Sequence, residues 1–134
     1  MREKELEERQ MEMARIVTAL NTQQEKLQNI FQRQKENTLM QETLAAAENL
    51  DIFQLEEHRT FGIKLIGDTK NQERIIANTK TILERKQLEV KEAYQKVETL
   101  KKLKEKQEKE FYKEFLHAEM KEIDDITSAR FKIG

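Results

Sequence analysis

The chain has 134 residues, of which 38% are charged and 37% hydrophobic, and its 25 basic and 26 acidic side chains leave a net charge of −1. It contains no cysteine, no proline and only three glycines, whereas roughly seven prolines and nine glycines are typical of this length. This composition excludes disulfides and zinc–thiolate sites, and the balanced charge provides no field that attracts nucleic acid or an anionic membrane. Because proline and glycine interrupt helices, their scarcity predicts long, continuous α-helices.

The first predicted helix runs from about residue 3 to about residue 48. Its hydrophobic residues recur at intervals of seven, with a second set three or four positions later, which is the pattern of a coiled-coil seam. Polar residues interrupt the seam at 21–24 and again at Gln34 and Gln41. The residues predicted to form this seam are Leu6, Met13, Ile16, Val17, Leu20, Leu27, Ile30, Phe31 and Leu44.

The chain is predicted to reverse direction at about residues 49–51. Asp51 is a suitable N-cap for the helix that follows, and Gln54 stands three residues later, as in a capping box. The second helix is expected over about residues 52–130, continuous but weakened near Gly62 and Gly67. Its predicted seam consists of Ile76, Leu83, Val90, Ala93, Val97 and Leu100. The predicted fold is all-α, an antiparallel two-helix coiled-coil hairpin that spans residues 1–134 as a single domain, with a longer C-terminal helix.

A reversal near residue 50 leaves the end of the second helix without a partner inside the chain. Met1 then lies opposite Leu100, and residues from about 101 to 130 extend further by roughly 45 Å. An isolated helix that exposes a row of aromatic and aliphatic side chains marks a binding surface. A reversal a few residues later would instead let these side chains pack against the first helix, and the sequence leaves both alternatives open. The residues predicted to form the surface are Phe111, Tyr112, Phe115 and Leu116.

No motif in the sequence predicts a catalytic, cofactor or metal site, so we expect that the protein is not an enzyme. His58 and His117 each lack a second histidine one turn away, and the chain has no cysteine ligand. The lysines at positions 101–109 alternate with glutamates, which predicts a solvated helix face and argues against nucleic-acid binding. A two-helix hairpin also has no enclosed pocket in which a pKa could be shifted.

The second half of the chain resembles the FliJ family, the small coiled-coil proteins of flagellar type III export. The resemblance is carried by LERKQLEVKEA at residues 83–93, VETLKKLKEK at residues 97–106 and HRTFGIKL at residues 58–65. It covers about residues 55 to 131, and the first helix is similar to the family only in length and character.

This resemblance implies a helical hairpin similar to the central stalk of rotary ATPases, without cofactor or catalytic activity. It implies that the end bearing both termini inserts into the hexameric ring of the export ATPase FliI and that another surface contacts the cytoplasmic part of the export gate FlhA. Escort of export chaperones is also implied. We therefore expect a cytoplasmic protein, monomeric alone, that associates peripherally with the inner membrane through the export apparatus and not by insertion. The sequence does not separate a flagellar protein from a virulence-type relative such as YscO.

By the same resemblance, the gate-contacting residues fall on Phe61 and Leu65. The next two positions of that face are Asp68 and Gln72, which depart from the family pattern. Packing of Phe61 and Leu65 within the hairpin is the alternative interpretation.

Two other classes of function also remain open. One is a structural coiled coil that self-associates by pairing its C-terminal end with a second copy. The other is a prefoldin-like chaperone, which the lack of a strand-forming segment between the helices disfavours.

Overall fold

The computed structural model describes residues 2–133, with side chains described as far as Arg130. Helix α1 spans Arg2–Ala46 and has 45 residues, helix α2 spans Ile52–Ile133 and has 82 residues, and residues 47–51 connect them. The two helices pack against each other, so the prediction of an all-α helical hairpin with a longer C-terminal helix is confirmed. Met1, the predicted partner of Leu100, lies outside the described residues.

The ends of the helices at the connection follow from local hydrogen bonds and burial. The Asp51 side chain accepts a hydrogen bond from the backbone N–H of Gln54 at 3.2 Å, which confirms the predicted N-cap of α2. Helix α1 ends at Ala46, two residues before the predicted position. Leu44 is the last partly buried side chain of α1, and the residues from 45 to 54 are all exposed, so no packing energy extends the helix further.

Residues Glu7–Lys91 form one compact unit. In this unit the Arg9 guanidinium lies 3.4 Å from a Glu89 carboxylate oxygen, and the Lys86 ammonium lies 3.1 Å from a Glu12 carboxylate oxygen. Three residues forward along α1 therefore correspond to three residues backward along α2. The helices run antiparallel, as the reversal at residues 47–51 requires.

The buried residues of this unit are few and of mixed character. Leu65 is the most enclosed hydrophobic side chain, with 1% exposure, and Ile30 and Ile76 are also buried. Polar side chains are buried beside them, namely Asn37, Gln72 and Thr79. Part of the interface between the helices is therefore built from amides and hydroxyls.

Two residues of the predicted α1 seam lie outside it. Val17 and Phe31 are both 39% exposed, whereas Ile16 is half-buried and Ile30 is buried. Val17 follows Ile16 and Phe31 follows Ile30 by one position, and one position corresponds to a rotation of about 100° around the helix axis. The seam is therefore narrower than the sequence pattern predicts.

The second unit comprises Met1–Leu6 together with Glu92–Gly134. Ala93 and Val97 are buried in it. Arg2 and Glu3 line one shallow groove with Val97, Leu100, Lys101 and Lys104, so the first turn of α1 lies beside this part of α2. Every residue from Thr99 to Arg130 is exposed, including Leu100 of the predicted seam.

Candidate partner-binding surfaces

The C-terminal surface consists of Phe111, Tyr112, Phe115 and Leu116. Their exposed fractions are 72%, 61%, 51% and 40%, so the alternative in which they pack against α1 does not hold in this structure. Residues four positions apart are neighbours on a helix, so Phe111 lies next to Phe115 and Tyr112 next to Leu116. The four side chains form one continuous apolar area on α2.

Further apolar and charged residues adjoin the C-terminal surface. Met120, Ile123 and Ile126 continue the apolar row and are more than half exposed. Tyr112 also lines a shallow groove whose other residues are charged, namely Glu105, Glu108, Lys109 and Lys113. The surface therefore has an apolar centre and a rim of both charges, which is the composition of a protein-binding patch.

The structure separates the two residues predicted to contact the export gate. Phe61 is 40% exposed, whereas Leu65, one helical turn later, is buried in the hairpin. Of the two interpretations of Leu65, the structure shows packing within the hairpin. Phe61 remains available to a partner.

Asp68 and Gln72, which follow on the same face, also turn towards α1. Asp68 is half-buried and lines a groove with Lys26 and Arg33 of α1. Gln72 is buried, and its Nε2 atom donates a hydrogen bond to the backbone carbonyl of Gln23 at 3.0 Å. The departures from the family pattern at these two positions therefore lie at the contact between the helices.

Three hydrogen-bonded polar residues and a glycine beside them form a group near the connection that was not predicted as a structural unit. We define this group as the amide cluster, which consists of Asn37, Gln41, His58 and Gly62. Asn37 Nδ2 and Gln41 Nε2 both donate hydrogen bonds to the backbone carbonyl of His58, at 2.8 Å and 3.0 Å. Since the Asn37 amide nitrogen is used there, its Oδ1 accepts from His58 Nδ1 at 3.0 Å. The interruption at Gln41 is thus a cross-helix contact, and Gln34 makes another by donating to the Thr69 hydroxyl at 3.0 Å.

Four charged side chains link the helices further from the connection. The Lys86 ammonium contacts both Glu12 and Glu89, and the Arg9 guanidinium contacts the same two carboxylates. The hydrogen bond from Lys86 is the main cause that lowers the pKa of Glu12 below its ordinary value of 4.5, and the positive charges of Lys86 and Arg9 add to it. The same hydrogen bond to Glu12, followed by the one to Glu89, raises the pKa of Lys86 above its ordinary value of 10.5.

These shifts predict a pH dependence of stability. The pKa of Glu12 is lower in the folded than in the unfolded state, so this pair stabilises the fold above pH 4.5 and its contribution is lost as the pH falls below that value. The Lys86 contribution is present below pH 10.5 and is lost at higher pH. We expect Glu12→Gln to reduce the loss of stability between about pH 5 and about pH 3, as measured by urea denaturation. Parallel curves for the two proteins would contradict this assignment.

Neither helix, over the residues that the structure describes, contains a stretch long and apolar enough to cross a membrane. Comparison with curated proteins and with solved structures finds no match. The family model described as "Flagellar FliJ protein" matches residues 1–132, which is nearly the whole chain and includes the first helix. This family contributes structural, coiled-coil components to flagellar protein export and not enzymes. The chain, a helical hairpin that matches this family almost from end to end, belongs to the FliJ family.

Proposed function

We propose that this protein is the coupling component of the flagellar export ATPase complex. The C-terminal surface binds the inner face of the export ATPase hexamer, and Phe61 contacts the cytoplasmic domain of the export gate. These two contacts would hold the otherwise monomeric hairpin peripherally at the cytoplasmic face of the inner membrane. The observation that carries the proposal is the run of exposed residues from Thr99 to Arg130, whose aromatic side chains are not covered by any part of the chain that the structure describes.

The chemistry of the C-terminal surface favours a protein partner. Aromatic side chains bury a large apolar area on binding and dominate the energetics of many interfaces. The charged rim around Tyr112 contains both lysines and glutamates, which suits a protein surface of mixed charge better than nucleic acid. Coupling then requires that the surface bind more tightly to some nucleotide states of the ATPase ring than to others.

The proposed gate contact is supported by the exposure of Phe61 beside a hydrogen-bonded contact between the helices. Phe61 is flanked by His58 and Gly62 of the amide cluster and lies one turn before the buried Leu65. Contacts between the helices already fix the backbone that carries Phe61. Binding of this large, exposed side chain therefore costs little further conformational entropy of the chain. Escort of export chaperones belongs to the same proposal and would use the exposed surfaces of the hairpin.

The proposal is tested by adding the purified chain to its cognate export ATPase. We expect hexamers to form at a lower ATPase concentration and ATP hydrolysis per subunit to increase, as measured by mass photometry and phosphate release. Analytical ultracentrifugation of the chain alone is expected to show a monomer of 16.0 kDa. A dimer that persists on dilution would instead support self-association through the C-terminal surface, and an unchanged ATPase would contradict the proposal.

A further inference from the structure

The contact between α1 and α2 changes in character along the unit Glu7–Lys91. Far from the connection, the cross-helix side-chain bonds are made by the charged residues Arg9, Glu12, Lys86 and Glu89. Nearer the connection they are made by neutral amides, hydroxyls and the His58 ring. The described neutral bonds join Gln23 to Gln72, Gln34 to Thr69, Asn37 to His58 and Gln41 to His58.

Gly62 provides the space in which the amide cluster forms. A Cβ atom at position 62 would lie 3.0 Å from Asn37 Nδ2 and 3.3 Å from Gln41 Nε2. Both nitrogens are held by the His58 carbonyl, the group that also accepts the helical N–H of Gly62. A side chain at this position would therefore require both amide groups to move by a few tenths of an ångström, although both are held by the acceptor that they share.

Buried amides restrict how two helices can pair, whereas an apolar seam does not. Leucine and isoleucine tolerate a shift of one helix by a turn because dispersion contacts have no direction. Asn37 is buried and forms two hydrogen bonds with His58, and a shift by one turn would leave its amide opposite Ile66 or His58. Each of these residues carries a Cβ where the cluster needs empty space. A buried polar residue at a seam position is a known means of fixing register.

We propose that the amide cluster selects a single register of α1 against α2 and thereby positions Phe61 for binding. Asn37 and Gly62 act as positioning residues. They do not contact the partner themselves, and they affect binding by fixing the position of the neighbouring Phe61. The role of Phe61 in binding the export gate rests on the proposed function. Selection of the register does not.

The register is measured by the distance between two spin labels on opposite helices. The chain has no cysteine, so Thr43→Cys on α1 and Thr81→Cys on α2 introduce the only labelling sites, and both positions are exposed. In the otherwise unchanged chain, double electron–electron resonance is expected to give one narrow distance distribution. In Asn37→Leu/Gly62→Ala, which replaces the cluster by apolar groups, we expect a second population displaced by about 5 Å, the rise of one helical turn.

The same variants, without labels, are then tested against the purified cytoplasmic domain of the cognate export gate. Asn37→Leu/Gly62→Ala is expected to bind about tenfold more weakly, which corresponds to a binding-competent register at about a tenth of the population. Stimulation of the export ATPase is expected to be unchanged, because the C-terminal surface belongs to the other unit. Loss of both activities together would indicate general damage and would contradict a positioning role.

Gly67→Ala is the matched control for the glycine substitution. It makes the same chemical change five residues later on α2, where a new Cβ meets no atom within 4 Å. We expect it to keep one label distance and full gate binding and to raise the Tm, since alanine favours helix over glycine. Gly62→Ala alone is expected to have a lower Tm than Gly67→Ala, a comparison that tests the restricted space even if the double variant does not fold.

Four further results would overturn the inference in part or in full. A single, unshifted distance in the double variant would exclude register selection by the cluster. Equal Tm values for the two single alanine variants would exclude the restricted space at Gly62 on which the cluster depends. A second distance without weaker gate binding would exclude the positioning of Phe61. If the unchanged chain does not bind the gate domain, the proposed gate contact is wrong, while the label distances still decide the question of register.

Discussion

Replacing Phe111 and Phe115 together with alanine is expected to abolish stimulation of the export ATPase. Both side chains are more than half exposed, so their loss removes little packing from the free protein. In a complex, an aromatic side chain buried at the centre of an interface commonly contributes 2 kcal/mol or more, about a 30-fold change in affinity. The double substitution is therefore expected to weaken binding by at least about 100-fold, so that no stimulation is measured at concentrations of the chain that saturate the ATPase with the unchanged protein.

The control for this double substitution is Leu88→Ala. Leu88 is 60% exposed on the same helix, stands 23 residues before Phe111 in the chain and belongs to the unit Glu7–Lys91. Circular dichroism is expected to show the same helix content for all three proteins, and Leu88→Ala should stimulate the ATPase normally. If the double substitution leaves stimulation intact, the ring-binding surface lies elsewhere on the chain.

Leu65→Ala is expected to give the largest loss of stability of any single substitution considered for this protein. Leu65 has 1% exposure, and removing a fully buried leucine side chain commonly costs about 2–5 kcal/mol, including the cavity that remains. Total stabilities are only about 5–15 kcal/mol, so urea denaturation should detect this change readily. Leu65→Met, which conserves the volume, is expected to lose less than about 1.5 kcal/mol.

In contrast to Leu65→Ala, Phe61→Ala is expected to impair binding to a partner much more than it impairs stability. Its side chain is partly exposed, so we expect a stability loss below about 1 kcal/mol together with loss of binding to the gate domain. Stimulation of the ATPase should be retained. If Leu65→Ala instead removes gate binding while keeping full stability, Leu65 contacts the partner directly and the hairpin must open there. If Phe61→Ala and the substitutions at Phe111 and Phe115 have the same effects, the two partners do not bind at separate surfaces.

Much of the hairpin could be predicted because its signals are periodic or local. The seven-residue repeat of hydrophobic residues predicts most of the seam. The Asp51 side chain forms the helix cap that its position before α2 predicts. The exposure of Phe111 follows from the unequal lengths of the two helices. These features require only the period of the helix and the position of the reversal.

The amide cluster could not be predicted in the same way. Gln41 is one of the predicted interruptions of the seam, and Asn37 lies seven residues after Ile30, where the seven-residue repeat calls for a hydrophobic residue. Their role depends on two features of the other helix, the backbone carbonyl of His58 and the missing Cβ atom of Gly62. The carbonyl is 21 positions from Asn37 and 17 positions from Gln41 in the chain. Gly62 likewise looks like a weak point in a helix until the amides beside it are seen.

The separation of Phe61 from Leu65 also needed the structure. The two residues are four positions apart, and such neighbours share a helix face to a first approximation. A seam between only two helices is narrow, so a rotation of some 40° decides whether a side chain is covered or exposed. Sequence spacing alone does not resolve such an angle.

The polar contacts also differ in the length of chain that each one closes. Asn37 and His58 are separated by 21 positions, whereas Arg9 and Glu89 are separated by 80. Closing the longer loop from an unfolded chain costs about 1.2 kcal/mol more in conformational entropy. The contacts between the helices are therefore expected to form first near the connection and then progressively towards the termini during synthesis. The two helices would already be aligned when Arg9 forms its ion pair with Glu89.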